Sequence, residues 1–324
     1  MKILVIGGTQ FVGRHFAEAA IRAGHEVTLF HRGSKGTGSI TGAQDVLGDR
    51  TENLDRVAKQ NWDVVMDSSA YTPGVLRQSC DALADRCGRY LFVSTVSVYD
   101  TGDQGPTGED SPLVPLGDPE AKEINAQTYG YLKVLCEREV ESVFGDRSFI
   151  VRPGIVAGSF DPTNRFTYWV MRFANGGQVL VPNVLESNLQ LIDARDLGEF
   201  MVSGAEQGLS GAFNAAGPLS NFGEMITTCH SLNPGVESVL TDIEVLENAG
   251  VKLWQDLPLA VPPGEDKLFS VSSDKAISKS LGYRKLLDTA QDVIQWKRGT
   301  TDEIPPRTGM SRERELEILT NLAN

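Results

Sequence analysis

Met1-Lys2-Ile3-Leu4-Val5-Ile6-Gly7-Gly8-Thr9-Gln10-Phe11-Val12-Gly13 begins the chain, and a strand, a turn and the start of a helix are legible there in that order. The apolar run 2–6 has no polar alternation, which predicts a strand covered on both faces, as in a parallel sheet. Glycines then punctuate the run and lead into the amphipathic stretch 11–23, read as a helix. A strand that turns through small residues into a helix aims free N–H groups and the positive helix end at whatever sits on the turn, and a phosphate suits both. Gly7 permits the tight turn, and Gly13 permits close packing of helix on sheet. Gly7, Thr9, Gln10, Phe11, Val12 and Gly13 are therefore the first candidate cofactor contacts.

The same alternation continues outward from that stretch. Strands are predicted at 2–6, 26–30, 44–47, 62–66, 90–93 and 148–151, with helices at 11–23, 51–59, 74–87 and 127–144. Strands separated by helices mean right-handed βαβ units. The expectation is an α/β fold, a Rossmann-type doubly wound parallel sheet with a smaller C-terminal α+β substrate lobe. Residues 1–155 are expected to form the NAD(P)-binding core, with 189–216 returning to the main sheet. The spans 156–188 and 217–324 are assigned to the lobe, including segments 222–232, 238–241, 274–281 and 289–297 and a terminal helix at 312–322.

Composition narrows the function. The chain has 324 residues and a formal net charge of −13, a field that disfavours nucleic acid as a partner. A dinucleotide can still be held by backbone N–H groups and one arginine. No apolar run approaches the roughly 18 residues of a membrane span, and the N-terminus reads as a buried strand and not a signal peptide. Four scattered cysteines and four scattered histidines predict reduced thiols and no metal site. These features together predict a cytoplasmic protein acting on a small molecule, away from membranes.

The second predicted strand ends Phe30-His31-Arg32-Gly33, with Ser34 and Lys35 close behind. A carboxylate there would accept from the ribose hydroxyls of NAD; His31 and Arg32 offer none, and arginine can take a 2′-phosphate bidentately. NADP is therefore expected in preference to NAD. Asp49 either accepts from the adenine amino group or caps the helix predicted after it. Ser68 and Pro153, each just past a predicted strand, extend the candidate cofactor set.

Tyr129 and Lys133 lie four apart in a helical segment, so both occupy one face. Thr95 follows the fifth strand at the carboxyl edge of the sheet, where a doubly wound fold keeps its ligands. With the Gly7–Gly13 turn, Ser94–Tyr99, Tyr129-Gly130-Tyr131-Leu132-Lys133 and Arg152-Pro153-Gly154, the chain resembles the extended short-chain dehydrogenases/reductases, which include NAD(P)-dependent epimerases and dehydratases. The resemblance implies Tyr129 as general acid/base, Lys133 lowering its pKa and holding the nicotinamide ribose, and Thr95 gripping the reacting oxygen. It also implies a homodimer through the helices at 74–87 and 127–144.

Three positions depart from the family's sugar-nucleotide enzymes: Gln10 replaces a glycine, Ile155 an asparagine, and Leu189-Gln190 an expected arginine. Tyr71, Ser97, Tyr168, Arg165 and Arg172 are the remaining candidates for substrate contact. The reading that follows is a reductase or epimerase-like enzyme moving hydride at a hydroxyl/carbonyl carbon. The alternatives are a nucleotide-sugar epimerase/dehydratase, or a non-catalytic dinucleotide sensor or RNA-binding relative.

Overall fold

Near-continuous apolar runs become strands with both faces covered. The structure, a computed structural model, describes residues 1–33, 40–101, 106–121, 123–300 and 307–322. Along the chain come β1 (Lys2–Ile6), α1 (Phe11–Arg22), β2 (Glu26–His31), β3 (Ala43–Leu47), α2 (Asp55–Ala58), β4 (Trp62–Asp67), α3 (Pro73–Leu83), β5 (Cys87–Val93), α4 (Tyr129–Phe144), β6 (Ser148–Pro153) and β7 (Ile155–Ala157). There follow α5 (Arg165–Ala174), β8 (Gln178–Pro182), β9 (Asn188–Asp193), α6 (Ala194–Glu206), β10 (Gly211–Ala215), β11 (Leu219–Asn221) and α7 (Phe222–Ser231). The last elements are β12 (Glu237–Thr241), α8 (Ile243–Asn248), α9 (Asp274–Ile277), α10 (Leu286–Gly299) and α11 (Arg312–Leu322).

Two compact units divide the chain. The first comprises Met1–Val156, Ala194–Gly217 and Val271–Tyr283. Its seven-stranded sheet runs β10-β6-β5-β4-β1-β2-β3, and every pairing is parallel. Strand order reverses between β1 and β4, so the ends of those two strands mark the switch point where doubly wound sheets bind ligands. On one face, Leu4, Phe30, Val65, Tyr90 and Phe92 pack with Leu76 and Cys80 of α3 and Val140 and Phe144 of α4. Tyr90 stacks on Phe144 with ring centroids 4.6 Å apart. Burying each such side chain contributes roughly 1.5–3 kcal/mol. Helices α1 and α6 pack against each other.

Four sequence expectations change here. The helix predicted at 51–59 shrinks to Asp55–Ala58, because Asp49 and Thr51 close a turn of their own ahead of it. The helix predicted at 74–87 stops at Leu83, and Cys87 already begins β5. Strand β9 does not join the main sheet; it pairs antiparallel with β11, Leu189 opposite Ser220. Segment 274–281 belongs to the first unit, where Lys275 Nζ donates to the Ala212 carbonyl of β10 at 2.6 Å. The apolar side chains of α4, one of the two helices expected at a homodimer face, are mostly absorbed by this chain's own core. Leu132 and Val140 have no exposure, while Leu135 and Val143 are half-buried.

The second unit comprises Ala157–Asp193, Pro218–Ser270 and Arg284–Asn324. Phe166, Trp169, Val170 and Phe173 line the buried face of α5. Trp169 meets Phe222 of α7 edge-on at 5.3 Å and donates from Nε1 to the Pro258 carbonyl at 2.6 Å. β8 and β12 pair in parallel, Val179 beside Ser238. No helix among the described residues is long and apolar enough to cross a membrane.

Candidate active site

The turn after β1 is shaped by what it lacks. Gly7 holds φ +82°, and a Cβ there would stand 2.6 Å from Ser69 Cβ. A Cβ on Gly13 would stand 2.8 Å from both the Gly7 carbonyl oxygen and Ser68 Oγ. The N-cap of α1 is Gln10, whose side chain makes no capping bond, and no acidic residue occupies the first turn. The orphan N–H groups of that turn, flanked by Thr9, Gln10, Phe11 and Val12, thus keep their capacity for an anion. Ser68 Oγ lies 3.4 Å from the carbonyl oxygens of Ile6 and Gly7, at the floor of the turn.

At the end of β2, His31 is engaged within the protein. Its Nδ1 accepts from the Gly33 N–H at 3.1 Å, so Nε2 carries the proton and donates to Asp45 Oδ1 at 2.9 Å. Arg32 is exposed. Ser34 and Lys35 lie outside the described residues. Asp49 Oδ1 accepts from the Thr51 hydroxyl at 2.6 Å and the Thr51 N–H at 2.8 Å, and these bonds hold its carboxyl below the usual range.

Arg50, which the sequence did not single out, turns inward. Its two terminal nitrogens donate to both oxygens of Asp67, at 2.9 and 2.6 Å, and further to Ser69 Oγ and Ser79 Oγ. Asp67 also accepts from the Ser69 N–H at 3.0 Å and the Tyr90 hydroxyl at 2.9 Å. Burial works to raise the Asp67 pKa, but Arg50 and these donors hold it below the ordinary carboxylate value. The network joins the loop after β3 to the end of β4, beneath the glycine turn.

The proposed reacting groups come from two elements. Thr95 caps the short 3-10 turn Val96–Val98, accepting from the Ser97 N–H at 3.1 Å and donating to Ser97 Oγ at 3.2 Å. Tyr129 is the first residue of α4 and Lys133 lies one turn on. Lys133 is 2% exposed; its Nζ donates to the carbonyls of Val93 at 2.7 Å and Ala70 at 3.0 Å. Burial pushes its pKa down to about 8. Tyr71, 46% exposed, stands 6.4 Å from Tyr129 ring to ring and 5.6 Å from Lys133 Nζ. Thr95, Ser97, Tyr71, Tyr129, Lys133 and Pro153 thus all belong to the first unit, with the cofactor candidates.

The other candidates for substrate contact belong to the second unit. Arg172 spends its guanidinium on the protein: Nε donates to buried Glu315 at 2.5 Å, Nη1 to the Gly176 carbonyl at 2.9 Å, and Nη2 to that of Gln178. A substrate phosphate would have to displace that pair, so Arg172 is better read as a brace between α5 and α11. Arg165 donates to Thr163 Oγ1 at 3.0 Å. Tyr168 is buried with its hydroxyl unpartnered, and burial pushes its pKa up. Among the described residues no cluster of His, Cys, Asp and Glu is fit to hold a metal ion.

The model of the NAD dependent epimerase/dehydratase family matches residues 3–216. A chloroplast stem-loop binding protein of 41 kDa (b) from Arabidopsis thaliana is 24% identical over 237 residues. That match covers 67% of this chain but 58% of the plant protein, so the chain spans less than two thirds of that relative. A Burkholderia cenocepacia J2315 protein provisionally called an epimerase superposes with TM-score 0.72 at 19% identity, covering 92% of this chain and 98% of its own. The dTDP-glucose 4,6-dehydratase of Bacillus anthracis str. Ames, solved with NAD, gives TM-score 0.67 at 15% identity, covering 93% and 97%. The motifs, the sheet order and the family match agree: this chain belongs to the NAD dependent epimerase/dehydratase family, of the extended short-chain dehydrogenase/reductase type.

Proposed function

We propose that this chain is a nicotinamide-dinucleotide-dependent enzyme acting at a hydroxyl/carbonyl carbon of a small molecule, with Tyr129 as general acid/base. The observation that carries this reading is Lys133: a nearly fully buried cation, anchored on two carbonyls at the sheet's edge, one helical turn from Tyr129. A lysine is rarely buried without function or partner, and here it adds positive charge beside a phenol. That charge favours the phenolate and brings a group with a free pKa of about 10 nearer to neutrality. Thr95, whose hydroxyl is already oriented by Ser97, holds the substrate oxygen.

The residues present fit the cofactor. Gly7 and Gly13 let the turn pack against Ser68 and Ser69, where a Cβ would collide, and the uncapped start of α1 suits a pyrophosphate. Thr9, Gln10, Phe11, Val12 and Ser68 would line it; Asp49 would meet the adenine, and Lys133 and Pro153 the nicotinamide end. The chemistry such a group supplies when bound is hydride exchange with a substrate carbon.

We assign the finer preference to NADP because Arg32 is exposed at the end of β2 with no carboxylate in its place, His31 being held by Asp45. Arg32→Ala is expected to weaken NADPH binding by about 10- to 100-fold and to leave NADH binding nearly unchanged. Fluorescence titration checks this. Equal losses for both would remove Arg32 from cofactor choice, and no binding of either by the wild type would sink the cofactor reading.

We read the reaction as a reductase's more than a sugar-nucleotide epimerase's. Ile155 and Leu189, both buried and apolar, stand where a sugar contact and a phosphate cation were expected, and Arg172 is committed to Glu315. A nucleotide diphosphate adds about two negative charges to a chain already at −13. Calorimetry of the NADP-loaded protein with UDP-glucose, UDP-N-acetylglucosamine and dTDP-glucose is expected to show no micromolar binding. Micromolar binding that disappears in Arg165→Ala would restore the sugar-nucleotide reading. The acidity of the chain gives no support to the nucleic-acid binding carried in the plant relative's name.

A further inference from the structure

Tyr129 and Thr95 arrive at the site on separate elements, and general acid/base work needs their separation held within fractions of an ångström. One buried side chain reaches both elements. Arg152, on β6 and 4% exposed, forms a bidentate pair with Glu137: Nε to Oε1 at 2.9 Å and Nη2 to Oε2 at 2.6 Å. Glu137 is itself buried and lies one turn beyond Lys133 on α4, so Tyr129, Lys133 and Glu137 share one face at intervals of four. The remaining terminal nitrogen of Arg152 donates to the Tyr99 hydroxyl at 2.7 Å and the Glu109 carbonyl at 3.3 Å. Tyr99 closes the turn that begins at Thr95, and its hydroxyl donates onward to Asn214 Oδ1 of β10 at 2.6 Å. At the other end of the same face, Gly130 presses so close on the Ser97 carbonyl that a Cβ would collide with it.

We propose that Arg152 is a positioning residue: its guanidinium clamps α4 to the Thr95–Tyr99 turn and so sets where Tyr129 stands relative to Lys133, Thr95 and Ser97. The inference rests on the acid/base reading of Tyr129 and adds the device that makes it work. A planar, always-charged fork suits the task, because it fixes angle as well as distance on the carboxylate. A lysine would hold the charge without the angle.

The test needs no substrate. Tyrosinate absorbance is followed against pH for the protein with saturating NADP⁺, and the same curve for Tyr129→Phe is subtracted, leaving the titration of Tyr129. Burial pushes Tyr90, Tyr99 and Tyr168 up, away from the window of interest. Tyr71 faces the Tyr129 ring at 6.4 Å, and Lys133 Nζ lies 5.6 Å from the ring of Tyr71. The decisive variant is the double Arg152→Met/Glu137→Leu, which removes both charges at once and keeps volume, so net charge is unchanged and no buried ion is stranded. Wild-type Tyr129 is expected to titrate below about 10, and the double variant to move it up by roughly half a pKa unit or more. An unchanged value in the folded double variant overturns the inference alone. A wild-type value at or above about 10 sinks the acid/base reading and the inference with it. If the double variant does not fold, Tyr99→Phe takes its place. It removes one hydroxyl from the clamp and is expected to shift Tyr129 in the same direction by less, and no shift there also overturns the inference.

Discussion

Tyr129→Phe is expected to lower kcat by about 10²- to 10⁴-fold on any substrate the wild type turns over, while NADPH affinity stays within about twofold. The change removes one oxygen and keeps the ring that packs 6.4 Å from Tyr71. What is lost is the group proposed to give or take a proton as the hydroxyl and carbonyl forms interconvert. Lys133 does not stand in for it, since its Nζ is tied to the carbonyls of Val93 and Ala70. The measurement is steady-state kinetics on a panel of small carbonyl and hydroxyl compounds, with cofactor affinity taken separately by titration. Retention of more than about a tenth of the wild-type kcat would mean that another group moves the proton.

Much of the first unit was legible because its signals are local. A glycine turn after an apolar run, a tyrosine and lysine four apart, and a threonine just past a strand each declare themselves within a few residues, and the alternation of strands and helices marks βαβ units. Strand β9 was not legible in the same way. Leu189-Gln190-Leu191-Ile192 reads equally well as a member of a large parallel sheet, and its actual partner β11 is only three residues long. Arg172 looked like a free cation beside aromatic residues; the carboxylate that claims it, Glu315, is 143 positions away. The segment after Val271 was assigned to the smaller lobe with no hint of its docking on β10, which depends on Lys275 reaching the Ala212 carbonyl and Ser273 meeting Ala216. Arg152 was visible as part of a motif, but its role lies in Glu137, Tyr99 and Glu109, drawn from three other places in the chain. Long-range pairing of charges has no period for a sequence to display.

Arg50 and Asp67 show the same limit and support the largest stability effect expected of this chain. Asp67 ends β4 with no exposure at all, which demands a partner; Arg50 supplies it from 17 residues away. Arg50→Met leaves that carboxylate buried without its cation and is expected to destabilise the protein by about 3–5 kcal/mol at pH 7, read as the fall in urea midpoint. The double variant Arg50→Met/Asp67→Leu should recover most of the loss, because apolar groups of similar volume replace a pair whose desolvation already opposed its attraction. The pH dependence has a definite sign. In the wild type the Asp67 pKa is depressed, so its contribution is present above the unfolded value of about 3.9 and is lost as pH falls through the folded value. In Arg50→Met only the Ser69 and Tyr90 hydrogen bonds oppose burial, so the Asp67 pKa is expected to rise above the unfolded value, and the folded variant gains stability as pH falls. The gap between the two proteins should therefore narrow from pH 7 toward pH 4. A loss under about 1 kcal/mol, or a gap that stays constant with pH, would show that water replaces the guanidinium and that the pair does not hold the end of β4 in place.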